Sequence, residues 1–374
     1  MHNKVKLGII GYGHIGSQHG RAIRDGKCPQ VELTAVCDCD PARLELARKT
    51  NGQALNLYTE AKELIHSGTC EAVIIATPHY YHPSMAIEAM EAGLHVLVEK
   101  PAGVYTEQVE RMNAVSAQHP ELVYCMDFNQ RTNPLYKKVK DLIADGELGE
   151  LKRVIWIITD WYRSQSYYDQ GGWRATWDGE GGGVLLNQNP HNLDLWQWMC
   201  GMPKRVKAQV YYGKHRRIEV EDDLYALVEY ENGATGCYIT TVGDAPGTNR
   251  LEIDGDQGKL VVENNALTFY RLRVSEPVFN KAYKGGLGKP EVWECKVPVQ
   301  GTYTAHPGII NNFCDCILNG APPIAPGVEG IRGLQISNAI HLSSWLDGAW
   351  VDLPVDGALF VKKLQEHCKE PLMK

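Results

Sequence analysis

Residues 7–19 read LGIIGYGHIGSQH, an apolar run that three glycines interrupt at its end. The run has the length of a buried parallel strand. The glycine spacing allows a tight turn, a close approach of the backbone to a pyrophosphate and a helix packed closely on the strand. Free N–H groups at the N-terminus of that helix favour a negatively charged ligand, so the stretch predicts a dinucleotide-binding turn. The predicted contact residues are Gly11, Gly13, His14, Ile15 and Gly16.

A second apolar run, LTAV at 33–36, leads to Asp38, which lies 22 residues beyond Gly16. A carboxylate at this point accepts hydrogen bonds from both ribose hydroxyls of an adenosine and repels a 2′-phosphate. The two residues after Asp38 supply no cation, so we predict NAD as the cofactor, with Arg43 leaving NADP as the less favoured alternative. A glycine-rich turn of this kind also occurs in proteins that bind no nucleotide, where glycine only allows the chain to turn. Its combination with Asp38 is what favours nucleotide binding.

Composition predicts a two-domain globular protein with a small-molecule ligand. The chain has 374 residues, of which 44% are hydrophobic and 22% charged. Its net charge of −7 and pI near 6.0 disfavour nucleic acid or an anionic membrane as a partner, because both require a basic surface. The sequence shows no signal peptide and no apolar stretch of about 20 residues. We therefore expect a cytoplasmic protein with no transmembrane segment.

No metal site is predicted from the sequence. The eleven cysteines include no CxxC pair, and we expect them to be reduced thiols. The acidic run Glu221-Asp222-Asp223 precedes a predicted strand and is typical of a solvated turn.

The pattern of strands and helices changes near residue 150. Up to residue 125, the segments ALNLY, EAVIIAT, LHVLVEK and LVYCMD alternate with helical stretches, which predicts a doubly wound parallel sheet. Beyond residue 150, strands separated by hairpin signals predict an open antiparallel sheet. Two late segments, 306–320 and 329–348, have helical periodicity and are expected to pack across both parts.

Glu99-Lys100-Pro101 follows a predicted parallel strand, at the edge of the sheet where open α/β proteins bind ligands. A lysine there can reach both the cofactor ribose and a reacting oxygen, and the bond before Pro101 can adopt the cis form. From these residues alone, a surface lysine beside a helix-starting proline is the favoured alternative.

The stretch GGGVLLNQNPHNLDLWQW at 181–198 places Asn187 and His191 four residues apart, on one face of a helix. We expect Pro190 to kink this helix. The alternative is that Pro190 begins the helix with Asn189 as its cap. A histidine titrates near neutral pH and can exchange a proton with an alcohol, although a lone histidine in a tryptophan-rich helix is more often a packed residue.

The stretch DWYRSQSYYDQGGWRATW at 160–177 combines aromatic and arginine residues. Aromatic faces stack on sugar rings and guanidinium groups donate to hydroxyls, so a carbohydrate or polyol is the expected ligand. The alternative is a loop at a subunit interface. The predicted substrate-binding residues are Tyr162, Arg163, Trp173 and Arg174, together with Asn187 and His191.

The chain resembles the Gfo/Idh/MocA oxidoreductases from about residue 4 to residue 350. The matching motifs are the GYGHIG turn, Ala76-Thr77-Pro78 through His82, the EKP tripeptide, NQRTNPLYKKVKDLI and the segment from the three glycines to His191. The resemblance implies an α/β protein. A Rossmann domain would span 1–126, and an α+β domain built on a large open, mostly antiparallel sheet would span 127–374.

The resemblance also implies a dimer or tetramer built on that sheet, with a substrate-binding C-terminal domain. It makes Lys100 and His191 catalytic, with Asn187 beside them. It adds Thr77, Pro78, His82, Glu99 and Lys100 to the predicted cofactor contacts.

One position departs from the family pattern. Many members carry aspartate where this chain has Asn187, and an amide can orient the substrate or the imidazole but cannot stabilise an imidazolium by charge. His191 should therefore be less basic than in the aspartate form. Residues 167–198 are most similar to the branch that oxidises the third ring carbon of glycosides.

These observations predict an enzyme that transfers hydride from a sugar or glycoside ring hydroxyl to NAD, giving a keto-sugar. His191 would accept the hydroxyl proton, and Lys100 would polarise the oxygen. An inositol dehydrogenase and a keto-sugar reductase are the enzymatic alternatives, and a non-catalytic NAD sensor is a remote one. A separate enzyme could cleave the keto-glycoside product.

Overall fold

The computed structural model describes residues 4–369 and 371–372. Its N-terminal part is a six-stranded parallel sheet in the order β3-β2-β1-β4-β5-β6. The strands are β1 (Val5–Ile10), β2 (Val31–Cys37), β3 (Asn56–Tyr58), β4 (Ala72–Ile75), β5 (His95–Val98) and β6 (Tyr124–Met126). The central strands are apolar on both faces because helices cover both sides of the sheet.

The helices that connect these strands are α1 (His14–Arg24), α2 (Pro41–Asn51), α3 (Ala61–Ile65), α4 (His82–Glu91) and α5 (Thr106–Gln118). The order of the strands reverses between β1 and β4, and ligands bind at such a point beyond the carboxyl ends of the strands. The predicted doubly wound Rossmann sheet is confirmed.

The C-terminal part contains a nine-stranded sheet in the order β14-β13-β12-β11-β7-β10-β9-β8-β15. The strands are β7 (Leu151–Ile158), β8 (Arg205–Tyr212), β9 (Glu221–Glu229), β10 (Thr235–Thr241), β11 (Asn249–Gly255), β12 (Gly258–Glu263), β13 (Ala266–Leu272), β14 (Val292–Val297) and β15 (Val351–Asp352). Neighbouring strands are antiparallel except β7 and β10, which pair in parallel. The predicted open, mostly antiparallel sheet is confirmed.

The remaining helices are α6 (Pro134–Ala144), α7 (Gln165–Tyr168), α8 (Pro190–Cys200), α9 (Glu276–Ala282), α10 (Ala305–Asn319), α11 (Gly330–Trp345) and α12 (Gly357–Gln365). Helix α10 contacts α1, β1 and β5, whereas α11 contacts both α5 and β8. Helix α11 therefore packs across both parts of the chain, as predicted, whereas these contacts of α10 are with the Rossmann part. Within the described residues, no helix is both long enough and apolar enough to cross a bilayer.

The prediction of a kinked helix around Pro190 is wrong. Helix α8 begins at Pro190, which occupies its first turn, where a missing backbone N–H costs nothing. Asn189 precedes the helix, but its side chain donates to Thr240 Oγ1 at 2.5 Å instead of capping the helix. Asn187 therefore lies in the loop before α8 and does not share a helical face with His191.

The prediction of a solvated turn at Glu221-Asp222-Asp223 is also wrong. Glu221 and Asp222 are buried at the start of β9. The Asp222 carboxylate accepts backbone N–H groups from residues 214, 215 and 216 at 2.7–2.9 Å. Burial is tolerated because the loop supplies hydrogen bonds in place of water, which the local sequence does not reveal.

Candidate active site

The glycine turn has the geometry that a dinucleotide requires. Gly11 has φ of +89°, and a side chain at Gly16 would come within 2.0 Å of the Gly11 carbonyl oxygen. A side chain at Gly13 would meet no atom within 4 Å, so this position faces open space. Helix α1 begins next to it and has no acidic residue in its first turn. The turn therefore fits a pyrophosphate at the N-terminus of α1.

Asp38 lies at the tip of β2, beside this turn. Its Oδ2 accepts the backbone N–H of Tyr12 at 2.6 Å, and its Oδ1 accepts that of Asp40 at 2.9 Å. Each carboxylate oxygen can accept further hydrogen bonds. Two backbone donors thus fix the carboxylate at the position where the Rossmann fold binds the adenosine ribose.

His82 joins the two loops that follow β4 and β5. Its Nδ1 lies 2.8 Å from the carbonyl oxygen of Pro101, and its Nε2 lies 2.7 Å from that of Thr77. The ring is 1% exposed, and the Lys100–Pro101 bond is cis. His82 therefore ties the loop after β4 to the loop after β5. Pro78 precedes the short helical turn that leads into α4.

Lys100 connects the Rossmann sheet to the glycine-rich segment. Its Nζ donates to the carbonyl oxygen of Asn187 at 2.8 Å. Burial lowers the pKa of Lys100, and the nearby carboxylates of Glu99 and Glu180 oppose this shift. The structure thus brings together two residues that are 87 positions apart in the chain.

Glu180 is a functional candidate that the sequence analysis missed. It is 1% exposed, and its carboxylate accepts the side-chain amide of Asn187 and the backbone N–H of Ala175, the latter at 2.7 Å. Burial raises the pKa of Glu180, and these hydrogen bonds oppose the shift. The only sequence signal was one acid directly before three glycines. Among the described residues, no hydrogen bond links the Asn187 amide to the His191 ring.

His191 lies in the first turn of α8. Its Nδ1 is buried and has no hydrogen-bond partner among the described residues. Burial, reinforced by the charge of Lys100, lowers the pKa of His191 to about 3. The imidazole is therefore neutral at neutral pH and keeps a lone pair for a proton. Burial is the main cause of this low pKa, whereas the sequence analysis attributed weak basicity to the missing carboxylate.

A buried ion pair anchors α8 one turn beyond His191. Arg131 donates to both carboxylate oxygens of Asp194 at 2.8 and 2.6 Å, and to Glu329 at 2.6 Å. The side chains of Arg131 and Asp194 are each 1% exposed. This bidentate contact fixes the start of α8 against the segment that follows β6.

The arginines of the aromatic segment surround Tyr167, which the sequence analysis did not identify. The Arg163 and Arg174 guanidinium groups lie 5.2 and 5.1 Å from the centre of the Tyr167 ring. Arg174 also lies 4.8 Å from the centre of the Trp173 ring and donates to the Tyr167 hydroxyl at 2.9 Å. That hydroxyl is 3.5 Å from the Asn187 amide, so the cluster adjoins the Lys100 site. Tyr162 is 49% exposed and lies at its outer edge.

Glu221 holds the glycine loop in place. Its two carboxylate oxygens accept the backbone N–H groups of Gly183 and Leu185 at 2.7 and 2.8 Å. Burial raises the pKa of Glu221 to about 8, although these two hydrogen bonds oppose the shift. The loop that carries Asn187 thus depends on a buried acid from β9.

The carboxylate of Glu99 forms hydrogen bonds with other groups of the protein. Its Oε1 lies 2.8 Å from His19 Nε2, its Oε2 accepts the backbone N–H of Lys100 at 3.2 Å, and the residue is 2% exposed. The Glu99 carboxylate thus contacts α1 and fixes the chain next to Lys100.

Comparisons with known proteins agree with this geometry. Residues 5–126 match a family model described as an oxidoreductase family with an NAD-binding Rossmann fold, and residues 136–261 match the GFO/IDH/MocA C-terminal domain. The WlbA dehydrogenase from Bordetella pertussis, solved as a crystal structure in complex with NADH and UDP-GlcNAcA, is 28% identical in sequence to this chain. Its TM-score is 0.79, and the match covers 95% of this chain and 100% of that one.

Two curated relatives are more distant in sequence. Levoglucosan dehydrogenase from Pseudarthrobacter phenanthrenivorans is 24% identical over 94% of this chain and 98% of its own length. Inositol 2-dehydrogenase from Corynebacterium glutamicum is 23% identical over 62% of this chain and 66% of its own length. The family model and the NADH-bound structure confirm the prediction of NAD as the cofactor.

Proposed function

Because the chain belongs to the Gfo/Idh/MocA oxidoreductase family, we propose that it transfers hydride between a ring hydroxyl of a sugar or glycoside and NAD. The observation that carries this proposal is the hydrogen bond of 2.8 Å between Lys100 Nζ and the Asn187 carbonyl oxygen, beside a neutral His191 whose Nδ1 is buried. A non-catalytic NAD sensor has no use for this junction.

The side chains of the junction have complementary roles in the proposed reaction. NAD supplies the hydride acceptor when bound. Lys100 donates to the substrate oxygen and stabilises the negative charge that develops as the hydroxyl proton leaves. His191 accepts that proton, because a neutral imidazole is the form that a general base requires. Glu180 remains beside Lys100 and balances its charge.

We propose the cluster of Arg163, Tyr167, Trp173 and Arg174 as the sugar subsite. Guanidinium groups donate to hydroxyls, and the faces of the aromatic rings stack on a sugar ring. Within this class, the similarity of residues 167–198 to the glycoside-oxidising branch supports the third ring carbon as the site of oxidation. The product would be a 3-keto-glycoside, which a separate glycoside-cleaving enzyme could consume.

The test is the appearance of reduced nicotinamide when the protein is incubated with NAD and methyl glucosides, free hexoses or inositols. A matched set of 2-, 3- and 4-deoxy glucosides locates the oxidised carbon, since only the 3-deoxy compound should fail to react. Lys100→Met should abolish the signal, whereas Lys137→Met, at an exposed lysine on α6, should not. Reaction with inositols alone would replace the proposal with an inositol dehydrogenase, the activity named for one relative.

The reverse assay, with NADH and keto-sugars, identifies a reductase. If no substrate reacts, the protein is denatured and any nucleotide that it releases is identified. A nucleotide released in this way indicates a tightly held cofactor and not a sensor. A sensor would bind NAD reversibly without turnover, and that result would refute the enzymatic proposal.

We also propose that two copies associate through the outer face of the nine-stranded sheet. Across β7, β9 and β10, this face carries neighbouring apolar side chains that are exposed or partly exposed. They are Ile155, Ile157, Tyr225, Leu227, Cys237 and Ile239. Light scattering should give a dimer or tetramer for the native chain, and Leu227→Glu should shift it towards a monomer. A monomeric native chain would contradict this.

A further inference from the structure

Four side chains that are common metal ligands meet next to the candidate active site. His19 comes from α1, Glu99 follows β5, Asp127 follows β6 and His306 lies in the first turn of α10. One nitrogen or oxygen atom from each lies within 4.8 Å of the others. We propose that this cluster binds a divalent transition metal ion, with Zn²⁺ as the best match to two imidazoles and two carboxylates.

The distances in the cluster suit a four-coordinate ion. His19 Nε2 lies 2.8 Å from Glu99 Oε1 and 3.7 Å from Asp127 Oδ2. His306 Nδ1 lies 3.0 Å from Asp127 Oδ2 and 3.8 Å from Glu99 Oε1. Metal–ligand bonds of about 2.0–2.1 Å in a tetrahedron separate the ligand atoms by about 3.3–3.4 Å. The other two pairs of ligand atoms lie within 4.8 Å of each other, so separations would have to change by about half an ångström to at most about 1.5 Å to complete the coordination.

The charge of the cluster also favours a cation. Glu99 is 2% exposed and Asp127 is fully buried, so two carboxylates lie together away from water. Like charges in this environment require compensation, and one divalent ion between them neutralises both. In addition, Asp127 Oδ1 is buried without a hydrogen-bond partner among the described residues, so this carboxylate keeps an unused acceptor.

Asn129 supplies a further contact that suits a metal ligand. Its Nδ2 lies 2.9 Å from His306 Nε2, while its own Oδ1 is buried without a partner in the described structure. A rotation of the amide by 180° would place Oδ1 against Nε2. His306 would then carry its proton on Nε2, which leaves the Nδ1 lone pair for the metal.

The cluster is accessible from the surface. A cavity of about 280 Å³ opens beside it and is lined by Gln18, Arg21, Lys27, Pro307 and the two histidines. Because all four ligands belong to the protein, the proposed ion is structural. It would tie α1 and the ends of β5 and β6 to α10, and would fix the residue that precedes Lys100.

The first test measures metal binding by the full chain without any assay of turnover. The chelator-treated protein is titrated with Zn²⁺ by calorimetry and with Co²⁺ by visible absorption. We expect one equivalent to bind, Co²⁺ to give the spectrum of a four-coordinate site, and Zn²⁺ to raise the thermal unfolding temperature. The absence of saturable binding would overturn the proposal and leave a network of ion pairs.

Variants locate the site. His306→Gln and Asp127→Asn each remove one ligand and should weaken Zn²⁺ binding by more than about 100-fold, whereas Asn129→Ala should weaken it by roughly 10- to 100-fold. The matched control is His66→Gln. His66 is exposed, and its Nε2 lies 3.2 Å from Glu88 Oε1. Unchanged affinity in folded His306→Gln would refute the assignment. If that variant does not fold, the affinity of Asn129→Ala decides.

Discussion

Ionisation of Glu221 should make the stability of this protein depend on pH. Burial raises the pKa of Glu221 to about 8 in the folded chain, from an ordinary value of 4.5. Because the folded pKa is the higher one, the stabilising contribution is complete below pH 4.5 and is lost as the pH rises through 8. A shift of about 3.5 units corresponds to about 5 kcal/mol, of which about 4 kcal/mol is lost between roughly pH 5 and pH 9.

The variant Glu221→Gln stays uncharged throughout this range and isolates the effect. At pH 5 it should be less stable than the native chain by about 1–3 kcal/mol, because an amide accepts only one of the two backbone N–H groups of Gly183 and Leu185. As the pH rises, this difference should shrink and then reverse. At about 2–4 °C per kcal/mol, the relative unfolding temperature should change by roughly 10 °C.

The measurement is thermal unfolding of both proteins across this pH range. Other titrating groups cancel in the difference between the two proteins. The control is Glu263→Gln, at a side chain that is 39% exposed and pairs with Arg250. A difference between native chain and Glu221→Gln that stays constant with pH would show that Glu221 is already ionised at pH 5, and would refute the reasoning.

Three further predictions concern the candidate active site. His191→Asn should lower kcat by about 10²- to 10⁴-fold without changing NAD affinity, measured by steady-state turnover and by calorimetry, and normal turnover would exclude His191 as the base. Glu180→Gln removes a negative charge that raises the pKa of Lys100, so the alkaline limb of the pH–rate profile should move to lower pH. If the alkaline limb of the profile does not move, the charge of Glu180 does not influence the reaction through Lys100. Asp38→Ala should weaken NAD binding by roughly 10- to 150-fold, the equivalent of one charged hydrogen bond of about 1.5–3 kcal/mol, with little effect on NADP. Equal losses for both cofactors would contradict the assigned ribose contact.

Local sequence was sufficient where one short segment carries the whole signal. The glycine turn and Asp38 could be predicted because a strand, a tight turn and a helix impose their requirements within about 30 residues. The hairpins of the second sheet could also be predicted, since each turn and its flanking strands are contiguous. Lys100 follows a strand that ends at the ligand-binding edge, but it became a catalytic candidate only through the family resemblance.

The path of the chain around Pro190 needed the structure. Asn187 and His191 have helical spacing, yet α8 begins between them. Proline is tolerated both at a kink and in a first turn, so the sequence allowed both arrangements. The packed glycine loop selected the second, in which Asn187 turns towards Glu180 and the Lys100 amine.

The sequence by itself thus determined the two sheets, the cofactor and the segments that approach it. Only the tertiary structure decided which polar side chains are buried and what they contact. His19 and Glu99 lie within motifs that the sequence shows, yet nothing in the sequence joins them to Asp127 and His306, or indicates that Glu180 and Glu221 are buried. Their partners are distant in the chain, as His19 and His306 show, and only folding brings them together. Burial then sets the charge of these groups, because the cost of removing a carboxylate or imidazole from water depends on three-dimensional neighbours.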